Sequence, residues 1–561
     1  MAWFLLDFGL LAVLLRAAIL AFQSLVIGGL VYVAFVQTPG GPAGDLATLR
    51  CRRGIRWAAL ALAVSQLLYV AVNAAILLGT LQLSFRDLVT ADFFIAGTVG
   101  LVASVALILV LNPFGGAAAS NRQFLFKSLP FALSLLAASI WTSHSVARMD
   151  HRLVTALLTG IHQLAVAIWV GGIPFLLVSL SLEQEASRGR SLARRFSRMA
   201  VVGVAALLAA GLGLSYFYIG SWGALSGTAY GVMVLTKSAL LGGLLVLGGS
   251  NWWLVRSLEN HTNAVKGPKD SADRNIPKPL LLVRRFGEAE IGVGFSIILA
   301  AASLTSQPPA IDMVQDRLTT HEIVERFRPA IPRFRSPSVD ELAPATPLEE
   351  AVNSFDNSAV AWAHSHRDPD MAFSEASHHW AGLILLAIGA GAWMSRSRRF
   401  PWARYWPLGF AALSIFTFVR ADPENWPLGP VSFWKSFYDP EVLEHRVFDV
   451  ILLLYAIFES GVQTGRLRSR AAAYVFPLLM ALGGAVLLLH NHALGNVKDE
   501  LLIEMSHNSM AILAVFAGWS RWLDVRLPLR LHGEPASRIA AQIWPICLVL
   551  IGCLLLNYRE A

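Results

Sequence analysis

Apolar runs long enough to cross a bilayer recur from one end of this 561-residue chain to the other. A spanning helix needs roughly 20 such residues. Fourteen runs are read, at about 9–36, 57–79, 90–112, 125–146, 154–181, 198–219, 230–254, 285–305, 379–394, 405–420, 446–464, 472–490, 505–523 and 539–557. The first follows directly on Met1–Phe8 with no cleavage-site pattern, so it reads as a span and not a signal peptide. Composition agrees: 55% of residues are hydrophobic and 15% charged, with a mean hydropathy of +0.56, against about 25% charged in a soluble domain. A soluble enzyme with one anchor is excluded. So is a disulfide scaffold, since Cys51, Cys547 and Cys553 are the three cysteines and no CxxC occurs. The expected fold class is an all-α polytopic membrane protein, with about 14 transmembrane helices in two bundles of eight and six.

Charge sets an expected orientation. Alternate loops (37–56, 113–127, 183–198, 255–285, 395–404, 465–470 and 521–538) carry 29 Lys and Arg, while the short loops between them carry 7. Basic loops stay cytoplasmic, which places both termini outside, in the periplasm if the membrane is a bacterial inner membrane. The same loops account for the net charge of +8 without nucleic acid, because they face the anionic lipid of the bilayer. One long polar stretch, with Pro308, Pro309, Pro329, Pro332, Pro337, Pro344 and Pro347, interrupts the pattern. The expected organisation is a membrane domain at 1–305, a periplasmic Pro-rich linker at 306–377 and a second, His-rich membrane domain at 378–561. Thr319 to Phe327 reads as a short amphipathic helix within the linker.

Histidine is distributed unevenly. Of 14 histidines only His261 and His532 fall on the cytoplasmic side of this topology. Imidazole is a common metal ligand and proton carrier. In the linker, His364 and His366 form an HxH pair; in extended chain both rings would point the same way. His378 and His379 open the ninth helix. His445 lies just ahead of the eleventh, and His490 and His492 form a second HxH at the end of the twelfth. His507 shares a helical face with Glu504 and Met510, each three residues away. If these helices bundle, the rings converge at one depth. Histidine with methionine and without cysteine thiolate leans toward copper.

The first half has its own pair. His144 ends the fourth helix, and His162 lies roughly 12 Å inside the fifth. A buried intramembrane ionisable residue is a candidate functional group; with His144 as partner it would make a two-imidazole site. Gly171-Gly172 would permit close helix packing. Lys237, Arg16 and Asn73 are not expected to be ligands.

The residues around these positions resemble the CopD (copper resistance D) family of inner-membrane proteins. The resemblance runs through the His144 segment, His162 with Trp169-Val170-Gly171-Gly172, Arg194-Arg195-Phe196-Ser197, Gly220-Ser221-Trp222, and Thr228-Ala229-Tyr230-Gly231 leading to Lys237. Ser143 stands where family members usually show Gly. The second half is similar to an extension fused to some CopD-like proteins, through His378-His379-Trp380-Ala381-Gly382, Asp422-Pro423-Glu424-Asn425-Trp426-Pro427, Asp439-Pro440-Glu441 to His445-Arg446, and the His490-to-His507 region. The resemblance implies copper-ion binding and transport, most often described as movement from periplasm to cytoplasm, and no catalytic reaction. A periplasmic copper carrier would then be the donor. No GxxxxGK or DKTG motif is present, so an ATP-driven pump is not expected. Two other readings stay open: a membrane redox or haem protein using paired histidines, and a copper-holding assembly factor for a respiratory oxidase.

The topology has a direct check. A cysteine at Ser338, in the polar stretch, should be labelled by an impermeant maleimide added outside intact spheroplasts; labelling only after lysis would overturn the orientation.

Overall fold

A bilayer leaves a backbone only itself to bond to, so these apolar runs should be helical throughout. In the computed structural model they are. The described residues are 8–38, 41–80, 84–111, 121–148, 150–264, 278–315, 317–342, 357–488, 497–527 and 535–560. Among them the extended structure amounts to one isolated bridge, Asn425 to Val431. Eleven helices of the described residues are long and apolar enough to cross a membrane. The chain is an all-α, multi-pass membrane protein. It divides into two compact units, the first made of Phe8–Ala224 and Lys237–Met313, the second of Leu225–Thr236 and the described residues from Val314 on.

The long helices of the first unit are α1 (Phe8–Phe35), α2 (Gly41–Thr80), α3 (Asp92–Val110), α4 (Asn121–Trp141), α5 (Arg152–Trp169), α6 (Ile173–Leu182), α7 (Ala186–Tyr218), α8 (Ala229–Ala264, whose first turns belong to the second unit) and α9 (Lys278–Leu304). Consecutive helices from α1 to α4 pack side by side, and α1 also packs on α5 and α9. Lipid tails are as apolar as leucine, so what holds such helices is close contact between small residues. At the α1 crossing this is literal. A Cβ on Gly28 would lie 2.1 Å from the Ala167 carbonyl oxygen, and one on Gly171 would lie 2.0 Å from that of Ser24.

The fifth expected span is interrupted. α5 ends at Trp169 and α6 begins at Ile173, with Val170-Gly171-Gly172 between them. Pro174 has no N–H to return to the Val170 carbonyl, and Gly171 and Gly172 allow the chain to turn there. The glycine pair therefore does what the sequence suggested, permitting close packing, and it also breaks the helix.

The main helices of the second unit are α10 (Thr320–Phe327), α11 (Asn357–Met394), α12 (Leu408–Arg420), α13 (Pro440–Gln463), α14 (Arg470–Leu487), α15 (Val497–Arg526) and α16 (Pro535–Leu556). α10 is the expected short helix; Thr319 caps it and Glu322 completes the capping box. From α11 to α16 each helix packs on the next, and α16 packs back on α11, closing a ring. Its core draws on all six, with Trp406 and Phe410 at 6.0 Å, Phe410 and Tyr455 at 5.1 Å, and Trp406 and Trp544 at 5.4 Å between ring centres.

Helices occupy all fourteen expected places, but α11, α12 and α13 are not among the eleven. α12 has 13 residues, roughly 20 Å of rise, short of a ~30 Å hydrocarbon core. Arg446, Asp449 and Glu459 interrupt the apolar stretch of α13. α11 begins at Asn357, well before the expected start at 379. The stretch holding His364 and His366 is therefore helical and not extended, and the alternation argument for a shared face fails there.

Replacing Gly28 or Gly171 with alanine should cost about 1–3 kcal/mol by overpacking. The check is a lowered thermal-unfolding midpoint of the detergent-solubilised protein; a midpoint equal to wild type would refute the close crossing.

Candidate functional site

In the first unit the two histidines sit against different levels of α7. His144 opens a one-turn helix, His144–Ala147, with its ring edge-on to Tyr218 at 6.4 Å. Burial lowers its pKa, and a bond to the Leu304 main chain acts the other way. His162 lies in α5, bonds to the Leu207 main chain and packs against Gly211, where a Cβ would meet its ring at 3.6 Å. Its Nδ1 is buried without a hydrogen-bond partner among the described residues. The α7 contacts of the two rings, Gly211 and Tyr218, are two turns apart, roughly 10 Å along the axis. The two rings therefore contact α7 at different levels.

In the second unit the structure brings His378 and His507 together. His378 of α11 stacks on Tyr558 at 3.8 Å with the planes 19° apart. His507 of α15 lies edge-on to both, 6.3 Å from His378 and 6.1 Å from Tyr558. Each ring uses Nδ1 in the same way. That of His378 is 2.9 Å from the Ser374 carbonyl oxygen, and that of His507 is 3.0 Å from the Ile503 carbonyl oxygen. A carbonyl only accepts, so Nδ1 carries the proton and Nε2 the lone pair. This is the orientation that a metal-ligating histidine normally has, its other N–H donated to a carbonyl or carboxylate. Around the pair, Glu560 accepts from Ser374 Oγ at 2.6 Å and from the Tyr558 hydroxyl at 3.0 Å, and the Arg326 guanidinium covers Tyr558 at 4.9 Å. Met510 is one turn further along α15 and buried in the core.

The neighbouring His379 differs. The Arg333 N–H donates to its Nδ1 at 2.7 Å, and its Nε2 donates to the Tyr558 carbonyl at 2.9 Å. With both nitrogens on main chain it clasps Arg333 and Tyr558 to α11, and in this conformation it offers no lone pair to a metal. His445 is also engaged. Its Nδ1 donates to Asp422 at 2.8 Å. Burial lowers its pKa, but the Asp422 hydrogen bond and charge, with Glu441 and Asp449, raise it to about 9. The His490/His492 pair lies outside the described residues, as do the side chains of His364 and His366. Among the described residues no group of three or more His, Cys, Asp or Glu is placed to hold a metal ion.

Buried acidic groups that were not singled out from the sequence include Glu290 and Glu459. Glu290 of α9 is 3% exposed and is held by Trp169 and Asn251. Glu459 of α13 is fully buried and pairs with Arg521 at 2.6 Å, which also reaches Asp524 at 2.8 Å. A single Glu or Arg inside an apolar run was the available signal.

Residues 190–304 match the family model described as Copper resistance protein D. The chain is also 29% identical over 219 residues to the Copper transport protein CutJ of Bacillus subtilis (strain 168), a match covering 38% of this chain and 37% of that relative. The chain thus spans little more than a third of the length of that relative. No solved structure matches.

The His445–Asp422 pair carries its own prediction. A folded-state pKa near 9 against 6.5 for the free side chain means the pair stabilises fully below about 6.5, and this is lost as pH rises through about 9. The wild type should therefore lose thermal stability between neutral pH and pH above about 9. In Asp422→Asn that loss should shrink, and the His445 titration, followed by NMR, should fall to or below the ordinary histidine range. An unchanged titration would sink the pairing.

Proposed function

We propose that this CopD-family membrane protein binds copper ions and moves them across the bacterial inner membrane, from periplasm to cytoplasm and without ATP. The observation that carries the reading is the His378–His507 pair, two imidazoles from different helices whose Nδ1 protons are both committed to main-chain carbonyls. Nε2 of each ring is the proposed coordinating atom, and the Nδ1 bonds hold the ring orientation before the ion arrives, which lowers the ordering cost of binding. The pair supplies two ligands. His490 and His492 are further proposed copper ligands on the sequence pattern, and Met510 a soft ligand of the kind Cu(I) selects. The copper-transport relative supports copper over zinc or iron.

Inward movement then uses His162 of the first unit. His162 in α5 has a buried Nδ1 without a hydrogen-bond partner among the described residues; as the neutral tautomer protonated on Nε2 it offers a ligand to a passing cation. The membrane potential favours inward cation flow by about 2.3 kcal/mol per charge per 100 mV. Copper is substrate here, delivered by a periplasmic carrier to the outer face and released to cytoplasmic acceptors. The basic-loop asymmetry supports the orientation.

Replacing His378 and His507 together with alanine should lower bound copper in the purified protein by about one equivalent. His162→Ala should keep that copper but lose uptake into proteoliposomes. Unchanged stoichiometry in the double variant would remove the outer site, and wild-type uptake by His162→Ala would remove the relay. A Soret band in the same preparation would assign the paired histidines to haem and overturn the reading.

A further inference from the structure

The copper reading makes no use of the most deeply placed acid of the first unit. Glu290 is 3% exposed on α9, far from either end of a helix long enough to cross the membrane. Its Oε2 accepts from the Trp169 indole N–H at 3.3 Å, and its Oε1 from the Asn251 side-chain amide. Both donors are neutral. The titratable or charged groups on the elements around it are Arg16 and Tyr32 on α1, Arg152 and His162 on α5, Tyr230, Lys237, Arg256, Glu259 and His261 on α8, and Lys278, Arg284, Arg285 and Glu288 on α9, with none on α6. Arg285 is paired with Glu288 at 2.5 Å. Trp169 and Asn251 are the groups that act on the Glu290 carboxyl. A bare carboxylate there has no compensating charge, and an isolated buried ion is costly.

A second observation points the same way. The Asn251 side-chain oxygen is also buried, without a donor among the described residues. Carboxylate and amide oxygen lie in one spot that lacks one positive hydrogen. An alkali ion would need about six oxygens around it, and the side-chain oxygens that the hydrogen bonds place together there, among the described residues, are those of Glu290 and Asn251. A proton needs one. With the proton on Oε1 and the amide turned over, the Oε1–H donates to the Asn251 oxygen.

The location gives the proton something to do. Trp169 is the last residue of α5, immediately before the Val170-Gly171-Gly172 break. Its indole ties that break to α9. A neutral acid is a weaker acceptor than a carboxylate, so taking up a proton slackens the tie. We propose that Glu290, with Asn251 and Trp169, is an intramembrane proton-binding site whose loading loosens the broken helix α5/α6. The proton comes from and returns to water, and no bond other than O–H forms or breaks. The site is independent of copper.

Infrared spectroscopy of the purified full-length protein, without copper, tests it. A protonated-carboxyl stretch should come and go with pH in the wild type and be absent from Glu290→Gln. Wild-type spectra identical to those of the variant at every pH would overturn the proposal. Hydrogen–deuterium exchange over residues 166–176, corrected for the intrinsic pH dependence of exchange, should rise roughly tenfold in the wild type as the band appears. In Glu290→Gln, a permanent neutral acid, it should stay high at every pH. A wild-type exchange rate that ignores the band would overturn the coupling. If Glu290→Gln does not fold, Trp169→Phe replaces it: the carboxyl band stays while exchange at the break is high and insensitive to pH. Loss of the band on adding sodium or potassium at fixed pH would assign the site to an alkali cation and overturn the proton. Loss of copper binding in the His378/His507 variant would leave every one of these readouts unchanged, so failure of the copper reading and failure of this one are separable.

Discussion

An apolar slab offers no water, so every polar group taken into it must find its partner in the protein. This constraint organises the molecule more than any single contact. It makes the backbone helical, and it explains how the buried polar side chains are used. Arg521 is buried because Glu459 and Asp524 surround it, and Asp524 also accepts from Arg396 and the Trp544 indole. That network ties α13, α15 and α16 near one end of the ring. Removing one member would strand a charge, at a cost on the order of 3–5 kcal/mol.

The same accounting separates structural from candidate functional histidines. His379 spends both ring nitrogens on main chain, and His445 is charged beside Asp422. Both have their partners already. His378 and His507 each bond a helix carbonyl through Nδ1, and His162 has a buried Nδ1 without a hydrogen-bond partner among the described residues. The difference lies in which atoms the neighbouring backbone supplies. It is invisible in a list of histidines, where His378 and His379 are adjacent and chemically alike.

Packing is governed by the same environment. Without a hydrophobic drive between helices, contact must come from close approach and shape. The first unit achieves it with Gly28 and Gly171, where α1 and the α5/α6 break meet backbone to backbone. The second uses aromatic rings, Trp406, Phe410, Tyr455, Phe476 and Trp544, to fill the centre of a ring of helices. Pro174 and the adjacent glycines make the break, and the break sets Trp169 against Glu290.

Much of this was legible in the residues alone. Apolar runs of bilayer length determine that the chain is a polytopic helical membrane protein, because hydropathy and the need for self-bonded backbone are local properties. The capping box at Thr319 and Glu322 is local as well, and it marked a short helix in a polar stretch. The histidine-rich character of the second half was also plain. Tertiary structure alone decided the rest. That His378 meets His507 and Tyr558 while His379 is consumed depends on the rotation of α11 against α15 and α16. Whether residues before His378 continue that helix was hidden by their polarity, which reads as linker. Glu290 looked like one charge in an apolar run until Trp169 and Asn251, distant in sequence, arrived beside it. Local periodicity specifies an element and its apolar faces; which polar atoms end up opposed is set by how those elements rotate and cross, and that is fixed by the packing of the whole unit.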